Sequence, residues 1–277
     1  YGQTFGIVFL CSWLAVSRSG YYAWIKRDLS QRALDDEGLL KKIKEIFVAS
    51  KGRYGSPRVF KSLLAEGIAV GRKRVERLMK AANLRGRVVR VTRRMPAFRH
   101  FITKGKNHLL DVGNATALDM VWVADITYLK VKGRWQYLAT VMDQYSRRIL
   151  GWSLSEARNM RLSVGALMYA LKKRNYPTGV IVHTDRGIEY TGYLFQDTLA
   201  KYGLTHSVNR PGHCTDNAFM ESFYHSLKAE LIRGTSFNSA TDLRRELKCY
   251  INQFYNPVRL HSGLGYMSPM EYEQCLA

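Results

Sequence analysis

Three carboxylates occupy positions where a side chain can do chemistry. Asp125 lies inside the strand-like run VWVADITYLKV, Asp185 follows the apolar run GVIVHT, and Glu221 lies in the helical run DNAFMESFYHSLKAEL. A carboxylate in the middle of a sheet is costly unless a metal ion or a partner holds it. Oxygen ligands without paired cysteines suit a hard cation such as Mg²⁺ or Mn²⁺. We therefore expect these three acids to be catalytic and to bind the metal.

A pair of such cations would explain why three acids are needed. Two ions roughly 3.5–4 Å apart can activate an attacking water or hydroxyl and stabilise the leaving oxygen of a phosphodiester. Two ions per active site are therefore expected. Each acid also has a structural alternative: a lone helix glutamate such as Glu221 is usually a surface residue, and Asp185 can cap a turn. Asp125 is the hardest of the three to explain in that way.

Polar residues around the acids complete the predicted site. Glu221 and Lys228 share one face of the predicted helix, and we expect Lys228 to contact a neighbouring phosphate. Asp216 is the expected N-cap of that helix. His183 and His213 have no metal-ligand spacing to other histidines or cysteines, so we expect them to form hydrogen bonds instead.

The elements that must position the acids form an alternating series. Strands are predicted at residues 121–131, twice within 135–154 around a turn at 143–147, at 179–187 and at 204–209. Helices are predicted at 160–175, at 193–203 and from residue 216 onwards. Three meandering strands followed by alternating helices and strands predict a mixed sheet covered by helices, which is an α/β domain.

The charge separates this α/β region from the rest of the chain. The 277 residues contain 43 Lys and Arg against 22 Asp and Glu, a net charge of +21 with a pI near 10.0. The first 110 residues hold 24 of the basic residues and only 7 of the acidic ones. A basic half joined to a near-neutral half indicates a module that binds a polyanion, most simply nucleic acid.

The basic half contains two short predicted helices joined by a glycine turn at Gly67. The first starts at Ser56, an expected cap followed by Pro57, and carries an apolar stripe of Val59, Leu63 and Leu64. The second covers residues 71–82. This pattern at about 56–82 predicts either a helix-turn-helix or a simple pair of packed helices. The outward basic residues of the second helix are expected DNA contacts: Arg72, Lys73, Arg74 and Arg77.

Two further segments of the basic half have their own expectations. Residues 14–27 predict a small helical unit in which Tyr21, Tyr22 and Trp24 belong to the core rather than to a DNA surface. Between Arg77 and Leu110 the chain has ten basic residues and no acidic one, so we expect an extended segment that follows phosphates. Its expected DNA contacts are Arg85, Arg87, Arg90, Arg93, Arg94 and Arg99.

Cysteine usage and the opening residues indicate the compartment. The four cysteines are scattered without a CxxC pair, which argues against a disulfide framework or a structural zinc site. Residues 1–17 are too polar for a membrane span and lack the charged start of a signal peptide. A reducing, cytosolic compartment is therefore expected. Because the chain starts with Tyr1, we also expect an upstream part.

Seven ordered motifs carry a family resemblance over almost the whole chain: SRSGYYAW, YGSPRV, WVADITYL, DQYSRRILGW, HTDRGIEY, DNAFMESFYHSLKAEL and FYNPVRLHSGLGYMSP. They resemble the second-reading-frame portion of bacterial insertion-sequence transposases of family three. Asp125, Asp185 and Glu221 resemble the DDE triad of transposases and retroviral integrases, with 35 residues between the last two acids. Lys228, seven residues after Glu221, matches another position of that family.

The resemblance implies an architecture. It implies an α/β, ribonuclease-H-like core of mixed sheet flanked by helices, preceded by an all-α basic helix-turn-helix region. The expected domains are a helical DNA-binding region at 1–83, a basic linker at 84–115, the catalytic core at 116–235 and a C-terminal helical extension at 236–277.

The resemblance also implies an activity. It implies a DNA transposase that uses Mg²⁺ or Mn²⁺ to cleave 3′ ends and transfer strands by a copy-out–paste-in route. The implied partners are double-stranded DNA, as terminal inverted repeats and target, and further copies of the chain in at least a dimer. The implied location is the bacterial cytoplasm, on the nucleoid and away from membranes.

Alternatives stay open for the function and for the C-terminal segment. The chain could be a DNA-binding regulator whose sheet domain is a non-catalytic scaffold, or a general nuclease of the same fold. In the C-terminal segment, either four polar residues touch DNA or the segment is a tail packed on the core. Those residues are Asn252, Asn256, Arg259 and His261.

Overall fold

The computed structural model of the chain describes residues 6–28, 30–87, 105–211 and 214–276. The chain divides into two compact units, Tyr1–Gly86 and Arg87–Ala277. Four of the expected DNA contacts, together with His213, lie outside the described residues: Arg90, Arg93, Arg94 and Arg99. Among the helices that the structure does describe, each is too short or too polar to span a lipid bilayer.

The described part of the first unit is helical. Its helices are α1 (Ile7–Trp13), α2 (Arg18–Ile25), α3 (Gln31–Ala49), α4 (Ser56–Ala65) and α5 (Arg72–Ala81). The side chains of Ser17 and Ser30 cap α2 and α3 by accepting hydrogen bonds from backbone N–H groups three residues on. An all-α basic region therefore precedes the sheet, as predicted.

The core of this unit lies between α3, α4 and α5. Val59 and Leu63, of the predicted apolar stripe, are fully buried there together with Ile43 and Val75. Two details differ from the sequence prediction. Gly55 is the N-cap of α4, so Ser56 is already helical. Leu64 is 41% exposed because it lies one residue, or about 100°, around the helix from the buried Leu63.

The aromatic residues of α2 do not form a core. Tyr22 is 48% exposed and Trp24 is 67% exposed, so the prediction that they pack inside is wrong. None of the residues of this two-turn helix is buried. A helix of eight residues covers little area, and neighbouring elements must supply the surface that buries its aromatic side chains.

A five-stranded mixed sheet organises the second unit. Its strands are β1 (Val121–Val131), β2 (Arg134–Asp143), β3 (Ile149–Ser155), β4 (Ile181–Thr184) and β5 (Thr205–Val208). Their order is β3-β2-β1-β4-β5. Strand β2 runs antiparallel to its neighbours β1 and β3, whereas β1, β4 and β5 run parallel to one another. Lys132 and Gly133, both with positive φ, form the two-residue turn that makes β1 and β2 antiparallel.

The helices of the second unit follow from the sheet's connections, because parallel strands need long crossovers. They are α6 (Leu109–Val112), α7 (Met160–Lys173), α8 (Ile188–Thr191), α9 (Tyr193–Lys201), α10 (Ala218–Leu227), α11 (Ala240–Cys249) and α12 (Pro269–Gln274). The crossover helix α7 lies against β3 so closely that a Cβ on Gly151 would overlap the carbonyl oxygen of Ala166. This mixed sheet with its flanking helices confirms the predicted ribonuclease-H-like α/β fold.

The C-terminal segment packs onto this fold. Two π-helical segments, Lys228–Ile232 and Tyr250–Tyr255, follow α10 and α11. The amide of the buried Asn256 pairs with both backbone groups of Ile149, at 2.9 and 3.0 Å. Arg259 is also buried and forms an ion pair with Glu230 at 2.8 Å. These two side chains hold the tail on the core, which contradicts the alternative that they touch DNA.

Candidate active site

Asp125 lies in the middle of β1, the central strand of the sheet. Its backbone is paired with Thr140 of β2, and its side chain is half-buried. One carboxylate oxygen accepts a hydrogen bond from the backbone N–H of Ile126 at 2.7 Å. The alternation of the strand turns this acid away from the face of Ala124, which packs in the core against α7.

Asp185 lies immediately after β4, which runs parallel to β1 and pairs with it through Val123 and His183. Its Oδ1 atom accepts a hydrogen bond from the backbone N–H of Gly187 at 3.0 Å. Functional groups commonly follow the carboxyl ends of parallel strands, because the chain leaves the sheet there. The pairing of neighbouring strands therefore brings Asp185 beside Asp125.

The electrostatics of the two aspartates reflect this proximity. Burial and the charge of Asp185 raise the pKa of Asp125 to about 8, and Glu221 adds a smaller effect of the same sign. Burial also raises the pKa of Asp185, while the Gly187 hydrogen bond and the charge of Arg158 oppose that rise. Repulsion between buried carboxylates opposes ionisation of both, and a bound cation would relieve it.

Glu221 is brought to this place by α10. The side chain of Asn217, the N-cap residue, donates a hydrogen bond to the Ala124 carbonyl at 3.0 Å. About two turns further along the helix, the Tyr224 hydroxyl donates a hydrogen bond to the Asp125 carbonyl at 2.5 Å. Glu221 lies between these two anchors with its side chain exposed. The helix is thereby attached to β1 on both sides of the third acid.

The predicted cap of α10 is wrong. Asn217, not Asp216, occupies the N-cap position. Asp216 instead accepts hydrogen bonds from Arg210 and from the Asn107 amide at 2.8 Å. The Arg210 hydrogen bond is the main reason that the pKa of Asp216 falls to about 2. An ion pair with Arg210 and a long-range hydrogen bond from Asn107 thus take the place of the cap, which spacing within the helix could not reveal.

The donor set at this site fits a divalent cation. Its oxygens are carboxylates, and two buried polar atoms beside them, Tyr190 Oη and Asn217 Oδ1, have no hydrogen-bond partner among the described residues. Within that same part of the chain, no three acidic, histidine or cysteine side chains converge closely enough to form a metal site. The structure therefore brings Asp125 and Asp185 together as a pair and leaves Glu221 facing solvent beside them.

Three residues of the site escaped sequence reasoning. Arg158 precedes α7, and its Nε atom lies 2.6 Å from Oε1 of the buried Glu189 on α8. The third residue, after Arg158 and Glu189, is Tyr224, whose hydroxyl donates to the Asp125 carbonyl. The only available signals were that Glu189 lies four residues after Asp185 and that Tyr224 lies three residues after Glu221. Neither spacing predicts a contact, since the partners, Arg158 and Asp125, are distant in sequence.

Other predicted polar residues have clear places in the structure. His183 is buried, and its ring nitrogens lie 2.9 Å from Ser207 Oγ and 2.7 Å from Asn209 Oδ1. It is a hydrogen-bonding residue, as expected, and burial lowers its pKa. Lys228 is half-buried with its Nζ atom 4.9 Å from the centre of the Tyr128 ring. Burial lowers the pKa of Lys228, although the charge of Asp125 opposes that effect.

The expected DNA-contacting residues of the first unit fall into two groups. Arg74 and Arg77 bind the Asp36 carboxylate of α3 at 2.6 and 2.5 Å. Arg72 and Lys73 are exposed on the same helix. Two of the four basic side chains therefore form ion pairs within the unit, and the other two are exposed at its surface.

Two cations of the basic run are also described. Arg85 is exposed, at the end of the first unit. Arg87, in the second unit, is exposed and donates a hydrogen bond to the Glu230 carbonyl at 3.0 Å.

Comparison with protein families matches both units. An HTH-like domain matches residues 33–92. Two integrase core domain families match residues 115–214 and 202–269. A chain of the simian T-cell lymphotropic virus intasome, solved in complex with PP2A regulatory subunit B56 gamma, has a TM-score of 0.46 and 12% identity over 83% of this chain and 73% of that chain.

Curated relatives match over nearly their full lengths. The transposase for insertion sequence element IS904 of Lactococcus lactis is 38% identical over 88% of this chain and 97% of the relative. Transposase InsF for insertion sequence IS3A of Escherichia coli is 37% identical over 97% and 94%. The insertion element IS600 uncharacterized 31 kDa protein of Shigella sonnei is 37% identical over 96% and 97%.

These matches decide two questions that the residues left open. The HTH-like match favours a helix-turn-helix over a simple helix pair at 56–82. The integrase core matches support a polynucleotidyl-transferase type of enzyme over a non-catalytic scaffold. The whole-length similarity to transposases confirms the family expected from the motifs: the chain belongs to the IS3 family of insertion-sequence transposases.

Proposed function

We propose that this transposase cleaves the 3′ ends of its insertion sequence and transfers them to new phosphodiesters, with Asp125, Asp185 and Glu221 as its catalytic acids. The observation that carries the proposal is the proximity of Asp125, on β1, to Asp185, which follows the neighbouring parallel strand β4; burial and the charge of Asp185 raise the pKa of Asp125 to about 8. Such a pair gains from a cation that a purely structural pair would not need.

Asp125 and Asp185 are the residues that would hold Mg²⁺ or Mn²⁺, and Glu221 would complete the ligand set. Two ions bound by these acids would activate the attacking oxygen and stabilise the leaving one. The chain's own contribution is positioning. Tyr224 and Asn217 fix the backbone on either side of Asp125 to α10, so the third acid keeps its place beside the pair.

The proposed reaction has two kinds of step. Water first attacks a phosphorus at the element's end, and the departing oxygen becomes a free 3′-hydroxyl. That hydroxyl then attacks a phosphorus at the other end, which forms one phosphodiester and releases one 3′-hydroxyl. Water later cleaves at the joined ends and frees new 3′-hydroxyls, and each of these attacks a phosphorus in the target, again releasing one 3′-hydroxyl for each bond formed. Joining two ends in this copy-out–paste-in order requires at least a dimer.

DNA binding is proposed for the basic residues that face solvent. Arg72 and Lys73 are exposed on α5, the second helix of the predicted helix-turn-helix, which lies within the HTH-like match. The basic run from Arg85 to Arg99 and Lys228 would contact further phosphates. In this proposal residues 1–83 bind terminal repeats, 84–115 link, 116–235 catalyse and 236–277 extend the core.

The test is cleavage and joining of a labelled duplex that carries the DNA flanking this gene, in Mg²⁺ or Mn²⁺. Asp125→Asn, Asp185→Asn and Glu221→Gln should each lower product formation by at least about 10²-fold while DNA affinity persists. The matched controls are Asp197→Asn and Glu246→Gln, which change acids of the same types on α9 and α11.

Three outcomes would count against the proposal. Near-normal cleavage by any of the three variants would remove that acid from the site. Tight binding by the wild type with no metal-dependent product would favour a DNA-binding regulator. Cleavage that ignores the terminal sequence would favour a general nuclease of the same fold.

A further inference from the structure

The guanidinium of Arg158 lies among the acids of the site. Arg158 follows β3, and its Nε and Nη2 atoms lie 2.6 and 3.2 Å from the two carboxylate oxygens of Glu189. Glu189 is 4% exposed, whereas the Arg158 side chain is 40% exposed. A buried carboxylate therefore holds the plane of an arginine that solvent, or a ligand, can reach.

The backbone brings this pair close to Asp185. A Cβ on Gly187 would lie 2.6 Å from Glu189 Oε2, 3.0 Å from Asp185 Oδ1 and 3.5 Å from Arg158 Nη2. Three charged groups thus surround a volume no larger than a methyl group, which only glycine leaves open. The positive charge of Arg158 favours the ionised forms of both Asp125 and Asp185.

The geometry leaves the guanidinium able to bind a second anion. Its ion pair with Glu189 uses Nε and Nη2, so Nη1 can face a further ligand, and a guanidinium has five donors in all. The charges also balance. Four ionised acids would be neutralised by two divalent cations, and the remaining charge of Arg158 matches the single negative charge of a phosphodiester.

We propose that Arg158 binds the phosphodiester that is being cut and that Glu189 is the residue that positions it. The proposal rests on the proposed function, because it takes Asp125 and Asp185 as the acids of the active site. If the ion pair between Arg158 and Glu189 were purely structural, it would hold the same two side chains, but DNA binding through Arg158 would not depend on the charge of the phosphodiester.

The test is a double-mutant cycle between the protein and the DNA. The wild type and Arg158→Gln bind, in Ca²⁺, a terminal duplex with either its natural scissile phosphodiester or an uncharged methylphosphonate there. We expect the neutral linkage to weaken wild-type binding about tenfold more than it weakens Arg158→Gln binding, as for one charge-assisted hydrogen bond, because the loss of metal contacts is common to both proteins. Arg161→Gln, which changes an exposed arginine on α7, should keep the wild-type sensitivity.

Two further variants separate positioning from folding. Arg158→Lys keeps the charge without the planar fork, and Glu189→Gln keeps the length without the charge, so both should show a sensitivity between those of the wild type and Arg158→Gln. Thermal unfolding of each variant, followed by circular dichroism, verifies that the folded protein is being compared. A destabilised variant is measured at a temperature where it remains folded.

The outcomes are distinct from those of the proposed function. If Arg158→Gln loses as much affinity as the wild type on the neutral linkage, or if the wild type itself is insensitive, the inference is overturned. In either case, metal-dependent cleavage by the wild type and its loss in Asp125→Asn would still support the catalytic acids. Absence of cleavage by the wild type would count against the proposed function instead.

Discussion

The Tyr224 hydroxyl lies 2.5 Å from the main-chain carbonyl oxygen of Asp125. The same hydroxyl lies 2.8 Å from Thr140 Oγ1 and 3.3 Å from the Leu138 carbonyl, so one side chain of α10 contacts both β1 and β2. Because Tyr224 is buried, water cannot replace these partners. The helix that carries Glu221 is therefore fixed to the strand that carries Asp125 by a contact with the backbone of that acid.

Removing this hydroxyl should cost stability and catalysis together. Tyr224→Phe leaves the Asp125 carbonyl without this donor, and we expect the free energy of unfolding to fall by about 1–3 kcal/mol. Product formation should fall as well, because Glu221 is no longer fixed beside Asp125. Denaturant unfolding measures the first effect. Tyr169→Phe, at a tyrosine 64% exposed on α7, is the control and should leave both unchanged. Equal stability of the two variants would contradict the role of Tyr224.

Gly187 should not tolerate even a methyl group. Its φ of −62° suits any residue, so backbone strain is not the reason. The added Cβ of Gly187→Ala would lie 2.6 Å from Glu189 Oε2 and 3.0 Å from Asp185 Oδ1, and the carboxylates would have to move. We expect a loss of about 1–3 kcal/mol in unfolding free energy together with weaker cleavage.

Gly38→Ala is the matched control for that prediction. Gly38 lies inside α3, where a Cβ meets nothing within 4 Å. Alanine should therefore stabilise this helix by about 0.5–1 kcal/mol. Chemical denaturation of both variants reports the two signs. An unfolding free energy unchanged by Gly187→Ala would mean that the acids are not packed around this position.

A divalent cation should stabilise the wild type through Asp125. A ligand that binds only the folded state raises the unfolding free energy by about 2.7 kcal/mol at 100 times its Kd. Asp125→Asn removes one ligand and also the repulsion with Asp185, so the metal-free variant should be more stable than the metal-free wild type and should gain little from Mg²⁺. Thermal unfolding with and without Mg²⁺ measures both. Asp197→Asn should respond as the wild type does, and an undiminished Mg²⁺ effect in Asp125→Asn would exclude Asp125 as a ligand.

Low pH should weaken the attachment of the C-terminal helix α12, because it protonates Glu273. This buried carboxylate binds Arg174, Arg148 and Ser146. Burial alone would raise its pKa, but these hydrogen bonds outweigh burial and place the pKa below its ordinary value of 4.5. A lowered pKa in the folded state adds stability that is full above about pH 4.5 and declines as the pH falls through the lowered value.

Glu273→Gln removes the charge and leaves its arginines without a counter-ion. We expect a loss of about 3 kcal/mol at pH 7, because one member of a buried ion pair is removed, and a smaller difference from the wild type at pH 3. Glu246→Gln changes a surface ion pair with Arg245 and should cost less than about 1 kcal/mol. Urea unfolding across pH gives both numbers. A difference that does not shrink in acid would mean that the Glu273 charge is not what holds α12.

The exposed cations of α5 should set the salt dependence of DNA binding. Arg72→Gln and Lys73→Gln should each weaken binding to all sequences and lower the slope of log K against log salt by about 1. Lys172→Gln, on α7, is the control and should keep the slope. Arg74→Gln should mainly cost stability, since Arg74 binds Asp36 at 2.6 Å. If neither Arg72→Gln nor Lys73→Gln changed the slope of log K against log salt, α5 would not contact the phosphates.

Local patterns in the sequence predicted the elements and the two aspartates. The strand predicted at residues 121–131 corresponds to β1, because the side-chain period of a strand is a local property. The cost of burying a carboxylate identified Asp125 before its neighbours were known. The same reasoning failed for Tyr22 and Trp24, since burial depends on what covers a helix and not on the side chain alone.

What only the tertiary structure decided is which distant residues share a contact. Asn217 rather than Asp216 caps α10 because Arg210 and Asn107 bind Asp216. The Arg158–Glu189 pair and the Tyr224 contact to Asp125 join residues 31 and 99 positions apart, which no helical or strand period encodes. The sequence by itself determined the family and the sheet, and it predicted Asp125, Asp185 and Glu221 as the acids of the candidate site. Their neighbours depend on strand order and helix packing, because long-range contacts form only when the whole chain folds.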